Sequence, residues 1–146
     1  MEAPYNFMHA LGFGADAIFS MKDNSNLAIS FISATELNQG TVVRLNGAMT
    51  VEAITVATQT PFGIVITSEQ KTDGTWRCVV QTQFQALVRG RANGVVAVNA
   101  DVAASDYHTA SKLMRYEAAG ANTVVGVALT AGADTDEIII GIKRSF

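Results

Sequence analysis

The 146 residues hold 10 Lys and Arg against 13 Asp and Glu, for a formal net charge of -3, and only 16% of them are charged. There is no basic field to hold a phosphate backbone, so nucleic acid is not an expected partner. The single cysteine, Cys78, excludes an internal disulfide scaffold and any multi-cysteine zinc site. No apolar run approaches the roughly 20 residues of a membrane-spanning helix, so no membrane partner is expected. Met1-Glu2-Ala3-Pro4 lacks the basic start of a secretory signal. A chain of this length buries enough surface for one sizeable core, and a single domain is expected.

The chain contains 15 Val, 10 Ile and 14 Thr against 7 Leu. β-Branched side chains lose rotamer freedom in helices and pack well on a pleated sheet, so the composition predicts an all-β fold. Residues 1–27 read as an irregular apolar arm. Tyr5, Phe7, Leu11, Phe13 and Phe19 bring large apolar area, but Gly12 and Gly14 weaken any helix there. Residues 28–146 read as a β-barrel or sandwich domain, with turn signals recurring between short β-rich runs. The predicted strands are Ala28–Ser33, Thr41–Leu45, Thr50–Val56 and Phe62–Thr67, with a tight hairpin at Asn46-Gly47 and a turn at Asp73-Gly74. The clearest period-two alternation places Trp76, Cys78, Val80, Phe84, Ala86 and Val88 on one face. Val95–Val98, Lys112–Glu117, Thr123–Thr130 and Glu137–Lys143 complete the strands. Ala100–Ala110 is predicted as a helical turn or loop.

Several groups carry residue types capable of chemistry. Gly12-Phe13-Gly14-Ala15-Asp16-Ala17 matches a G-x-G-x-x-A fingerprint, but no β-run precedes it and no α/β pattern follows, so no dinucleotide is expected. Ser105, Asp106 and His108 hold the types of a hydrolytic triad within one short stretch, whereas triad members normally converge from separate elements. His9 and His108 lack metal-ligand spacing, and Asp134, Asp136 and Glu137 lack the spacing of a calcium loop. Cys78 lies on an apolar face and reads as a small core residue. Arg77, Arg89 and Arg91 are the only local positive concentration and read as solvated. No catalytic residue, cofactor or metal is expected.

Five segments in order carry a resemblance: Gly40-Thr41-Val42-Val43-Arg44-Leu45, Ala53-Ile54-Thr55-Val56-Ala57, Pro61-Phe62-Gly63-Ile64-Val65, Val125-Gly126-Val127-Ala128-Leu129 and Asp136-Glu137-Ile138-Ile139-Ile140-Gly141-Ile142. From about residue 36 to 146 the chain resembles the small β-barrel capsid decoration (cement) proteins of tailed bacteriophages. The resemblance implies a non-enzymatic virion protein on the outside of the phage head, bound where major capsid protein subunits meet. It further implies a homotrimer, made in the host cytoplasm and ending on the capsid surface. Tyr5, Phe7, Leu11, Phe13 and Phe19 are then the expected interface residues, since an apolar arm without its own core orders against a neighbour. The alternatives are a phage tail or spike β-module, or a barrel binding a glycan or other small ligand on Trp76, Tyr107 or Tyr116.

Overall fold

The computed structural model describes residues 18–21 and 28–145, and among them every regular element is a strand. In chain order these are β1 (Ile18–Met21), β2 (Ala28–Ser33), β3 (Val42–Gly47), β4 (Thr50–Ala53), β5 (Gly63–Gln70), β6 (Trp76–Gln81), β7 (Gln83–Ala92), β8 (Asp101–His108), β9 (Leu113–Ala118), β10 (Gly126–Ala128) and β11 (Glu137–Ser145). The all-β class holds. Of the arm candidates, Tyr5, Phe7, Leu11 and Phe13 lie outside the described residues, as do His9 and the Gly12–Ala17 stretch. Phe19 falls on β1, whose backbone pairs antiparallel with β7.

The strands divide between two sheets. β2-β4-β3-β5-β6 form a closed barrel, the first ring. The second sheet runs β1-β7-β11-β10-β8-β9, and a parallel pairing of β7 with β9 joins the ends of its last five strands into a second ring. Thr82 alone separates β6 of the first ring from β7 of the second. The long alternating face read across residues 76–88 therefore belongs to two strands in different sheets.

The two rings repeat one topology strand for strand. In each, the first strand pairs parallel with the third (β2–β4, β7–β9) and antiparallel with the fifth (β2–β6, β7–β11). The second pairs antiparallel with the third and fourth (β3 with β4 and β5, β8 with β9 and β10), and the fourth with the fifth. Register repeats as well. Val43 sits between Ala53 and Gly63, and Val102 sits between Ala118 and Gly126. The pairing slips at the same step, between Leu45 and Gly47 and between Ala104 and Asp106. Even the approach to the second strand matches. Gly40 (φ 85) donates its N–H to the Val65 carbonyl at 2.9 Å, and Asn99 (φ 67) donates to the Ala128 carbonyl at 2.7 Å. Glycine and asparagine tolerate this left-handed backbone better than other residues.

Each ring has its own filling. The first encloses Phe31, Leu37, Val43, Val51, Val65, Cys78 and Val80, with Phe62 packed edge-to-face on Phe31 at 5.2 Å. Cys78 is thus a core residue, and burial raises its thiol pKa. In the second ring the counterparts of Phe31 and Val51 are Gly90 and Tyr116. The aromatic has moved to the neighbouring strand, and its ring occupies the space beside Gly90: a Cβ there would lie 2.5 Å from Tyr116 Cδ2. Gly63 and Gly126, also counterparts, bring their strands so close to β6 and β11 that a Cβ would press on the Gln81 and Gly141 carbonyls.

The larger buried cluster crosses between the rings. Val42, Ile54 and Ile64 of the first ring are fully buried in the same cluster as Ile18, Val88, Ala104, Met114 and Ile140. Ala57 of the first ring packs with Ala103 and Ala119 of the second. The loop 36–40 adds polar ties. Asn38 Nδ2 donates to Tyr107 Oη, and Gln39 Oε1 accepts from the Ile18 N–H at 3.4 Å.

Three local expectations are corrected. Asp101–His108 is strand β8, not a helical turn or loop: it lies between β9 and β10, and its small Ala103, Ala104 and Ser105 are buried under close neighbours. Asn46 and Gly47 are inside β3, and the hairpin turns at Ala48 and Met49, because the slip after Leu45 advances the chain past the Asn-Gly pair. Val95–Val98 makes no strand but only a single bridge, Val96 to Gly132.

Candidate functional site

Ser105, Asp106 and His108 share β8, and each is committed to a different neighbour. Ser105 is buried and accepts from Asn93 Nδ2 at 2.6 Å. Asp106 receives a fork of two hydrogen bonds from Arg115, Nε to Oδ1 at 2.7 Å and Nη2 to Oδ2 at 2.5 Å. Bidentate pairing of this kind fixes both side chains, and it raises the Arg115 pKa. His108 Nδ1 meets Ser111, with Oγ at 2.7 Å and the backbone N–H donating at 3.3 Å. Among the described residues, these three form no serine–histidine–carboxylate relay. These contacts knit β8 to β9 and close the hairpin between them.

The acidic loop is similarly occupied. Asp134 Oδ1 accepts from the Gly94 N–H at 2.8 Å, tying it to the 93–94 bend, and Asp136 Oδ2 accepts from the Ala133 N–H at 2.9 Å. Glu137 pairs with Arg89 at 3.9 Å. Among the described residues no group of three or more His, Cys, Asp or Glu is placed to hold a metal ion.

The arginine concentration is corrected in one respect. Arg89 is buried, 7% exposed, and is not a solvated strand-end charge. It lies on β7 opposite Ile139 of β11, and its side chain reaches Glu137, two residues away on the same neighbouring strand. Arg91 Nη1 donates to the Thr135 carbonyl at 3.1 Å, and Arg77 forms an exposed pair with Glu69.

The proposed stacking residues are spread apart. Tyr116 is fully buried inside the second ring, and burial pushes its phenol pKa up. It presents no face to a ligand. Tyr107 is held by Asn38 at the contact between the rings, and Trp76 packs partly buried against the first ring's core. Two open depressions occur among the described residues. One, of about 270 Å³, lies on the outer face of β2, β5 and β6 beside Ser30, Thr67 and Arg77. The other, of about 400 Å³, lies beside Arg91, His108 and Thr135. Neither gathers an aromatic side chain.

The surface feature that sequence patterning missed is apolar. Ile29, Leu45 and Met49 on the first ring are 48%, 44% and 56% exposed, and Val95, Val98 and Leu129 on the second are 79%, 60% and 47% exposed. Each sits in a run that reads as ordinary core alternation or loop, so only the counterpart positions in the other ring reveal them as unusual. No family model matches the chain, and no curated protein matches it.

Proposed function

We propose that this chain is a structural virion protein, a decoration or cement protein that binds outside a tailed-phage head at junctions between major capsid protein subunits. The observation that carries the reading is the pairing of two tightly filled rings with several exposed apolar side chains, while the polar residues with catalytic potential are spent on internal ties. Such a body resists deformation and offers adhesive surface. Each contact with the shell can be weak, because many copies on a repeating lattice, associated with one another as homotrimers, supply avidity.

The test is co-sedimentation of the purified chain with expanded heads assembled from the cognate major capsid protein. Saturable binding to expanded heads, and stabilisation of those heads against heat, is the expected result. Binding to isolated tails with none to heads would replace this reading with a tail or spike module.

A further inference from the structure

The internal repeat singles out one strand edge that the first ring leaves open. In the second ring, β9 pairs with β7 only at Arg91 and Ala92, and β1 takes the same edge further back, at Ala86 to Val88. In the first ring, β4 pairs with β2 only at Ile32, the counterpart of Arg91. Residues 28–30, the counterparts of 87–89, have no strand beside them on that side among the described residues. Exposure follows the pairing. Val88 and Arg89 are 1% and 7% exposed, whereas Ile29 is 48% exposed and Ser30 is exposed as well.

The open edge is a backbone feature. Ile32 turns its N–H toward β4 and donates to the Met49 carbonyl at 2.9 Å. Alternate residues of a strand turn their peptide groups to the same side, so those of Ala28 and Ser30 point to the open side. Ile29 turns its own toward β6, where it lies opposite Val80. A row of this kind is a template for a further strand, and edges are commonly protected by lysine, proline or a bulge. Ala28, Ile29 and Ser30 supply no such protection, and β2 keeps unbroken register with β6.

β1 shows what kind of strand fits this edge, and β2 is itself such a strand. Ala17-Ile18-Phe19-Ser20-Met21 and Ala28-Ile29-Ser30-Phe31-Ile32 share an Ala-Ile start followed by one Phe, one Ser and an apolar residue. Ile18 lies opposite Val88 in an antiparallel pair, and Val88 is the counterpart of Ile29. A second β2 laid on the open edge in the manner of β1 therefore brings Ile29 opposite the partner's Ile29. A residue opposite itself is what an antiparallel pair about a twofold axis requires. We propose that β2 pairs in this way with β2 of a second copy of this chain. Ser30 then exchanges hydrogen bonds with the partner's Ala28, and Ala28 with the partner's Ser30, making four around the Ile29 pair. The contact closes at two copies and is distinct from the trimer association proposed above. It does not rest on the capsid reading and is tested without capsids. A ladder this short is weak alone, so it fills at high protein concentration.

Cross-linking reads the register directly. Residues opposite each other in a non-hydrogen-bonded antiparallel pair have Cα atoms about 4.5 Å apart, within disulfide reach. Ile29→Cys is therefore expected to give a disulfide-linked dimer on mild oxidation at about 1 mM, where a contact of sub-millimolar Kd is populated. The native Cys78 is buried and takes no part. Val98→Cys, at a position 60% exposed on the second ring, reports random collision. It is expected to cross-link roughly tenfold more slowly or less, since nothing holds two copies of it within reach. Sedimentation is the second measurement. Between about 10 μM and about 1 mM the unaltered protein is expected to rise toward twice its low-concentration mass. Ile29→Lys sets like charges opposite each other and is expected to weaken that association roughly tenfold. Should either Ile29 variant lose the native circular dichroism spectrum, the other decides. Equal cross-linking of Ile29→Cys and Val98→Cys, or none of the former, would overturn the proposal. So would an Ile29→Lys protein that gains mass as the unaltered one does, or an unaltered protein that gains none.

Discussion

Tyr116 concentrates the second ring's chemistry in one side chain. Its ring fills the space that Gly90 leaves, but its hydroxyl is buried with no hydrogen-bond partner among the described residues. Such a group costs about 1–3 kcal/mol of desolvation, so Tyr116→Phe is expected to be neutral or to raise the melting temperature by roughly 2–4 °C. A pH dependence follows from the same burial. The folded state holds the phenol protonated above its ordinary value of 10.0. Stability from this group is complete below that pH and is lost as pH climbs above it, because the unfolded chain releases the proton first. Thermal melts between pH 8 and pH 11 (roughly the window that brackets phenol ionisation) should show an alkaline loss that is smaller in Tyr116→Phe. An identical alkaline loss in both proteins would assign it elsewhere, with the buried Cys78 thiol next in line. The Gly90–Tyr116 exchange can itself be measured. Gly90→Ala should cost about 1–3 kcal/mol through overpacking, and adding Tyr116→Val should recover part of that, as positions in contact are not additive. Simple additivity in chemical denaturation would contradict the packing described here.

At the scale of elements, the close approach of β10 to β11 depends on Gly126, as that of β5 to β6 depends on Gly63. At Gly126 an added Cβ would meet the Gly141 backbone and lie 3.1 Å from Ile142 Cα, so no side-chain rotation relieves it. Gly126→Ala should therefore be the costlier of the two alanine substitutions, by more than the roughly 1–3 kcal/mol typical of overpacking. Equal costs would show that the contacts at Gly63, the Val80 methyl and the Gln81 carbonyl, yield no more readily than the Gly141 backbone. β1 gives a second prediction. Ile18 is buried in the large cluster and β1 pairs with β7, so removing residues 2–24 should destabilise the fold by more than removing 2–16, which spares β1. Matching melting temperatures for the two truncations would mean that β1 is not part of the core.

Most strands were legible in the sequence because β-branched runs bounded by glycine, asparagine and aspartate report local preference directly. β8 was not, because Ala103, Ala104 and Ser105 are too small to give a period-two signal; their size is what lets Ala57 and β9 approach. The doubling of the topology was hidden for a related reason. Counterpart positions keep backbone roles more than side-chain identity: Val43 and Val102, Glu52 and Glu117, and Gly63 and Gly126 agree, whereas Phe31 and Gly90 do not. The hairpins after β3 and β8 also differ in length, so no fixed period survives. The residues of triad type were visible from the start, but their commitment to Asn93, Arg115 and Ser111 depends on contacts between strands that no spacing reports.

For the whole molecule, the shared cluster predicts how the protein unfolds. Thr82 alone separates the rings along the chain, yet they are not beads on a string, because Val42, Ile54 and Ile64 complete the second ring's core. Calorimetry should give one cooperative transition whose calorimetric and van't Hoff enthalpies agree, and two separated peaks would show that the rings unfold independently. A body that unfolds as one unit would suit the decoration role proposed above. The most direct test of that role is electron microscopy of virions labelled with an antibody against this chain. Label distributed over the outer surface of the head, in a regular array, is the expected result. Label confined to the tail, or no label on intact virions, would contradict it.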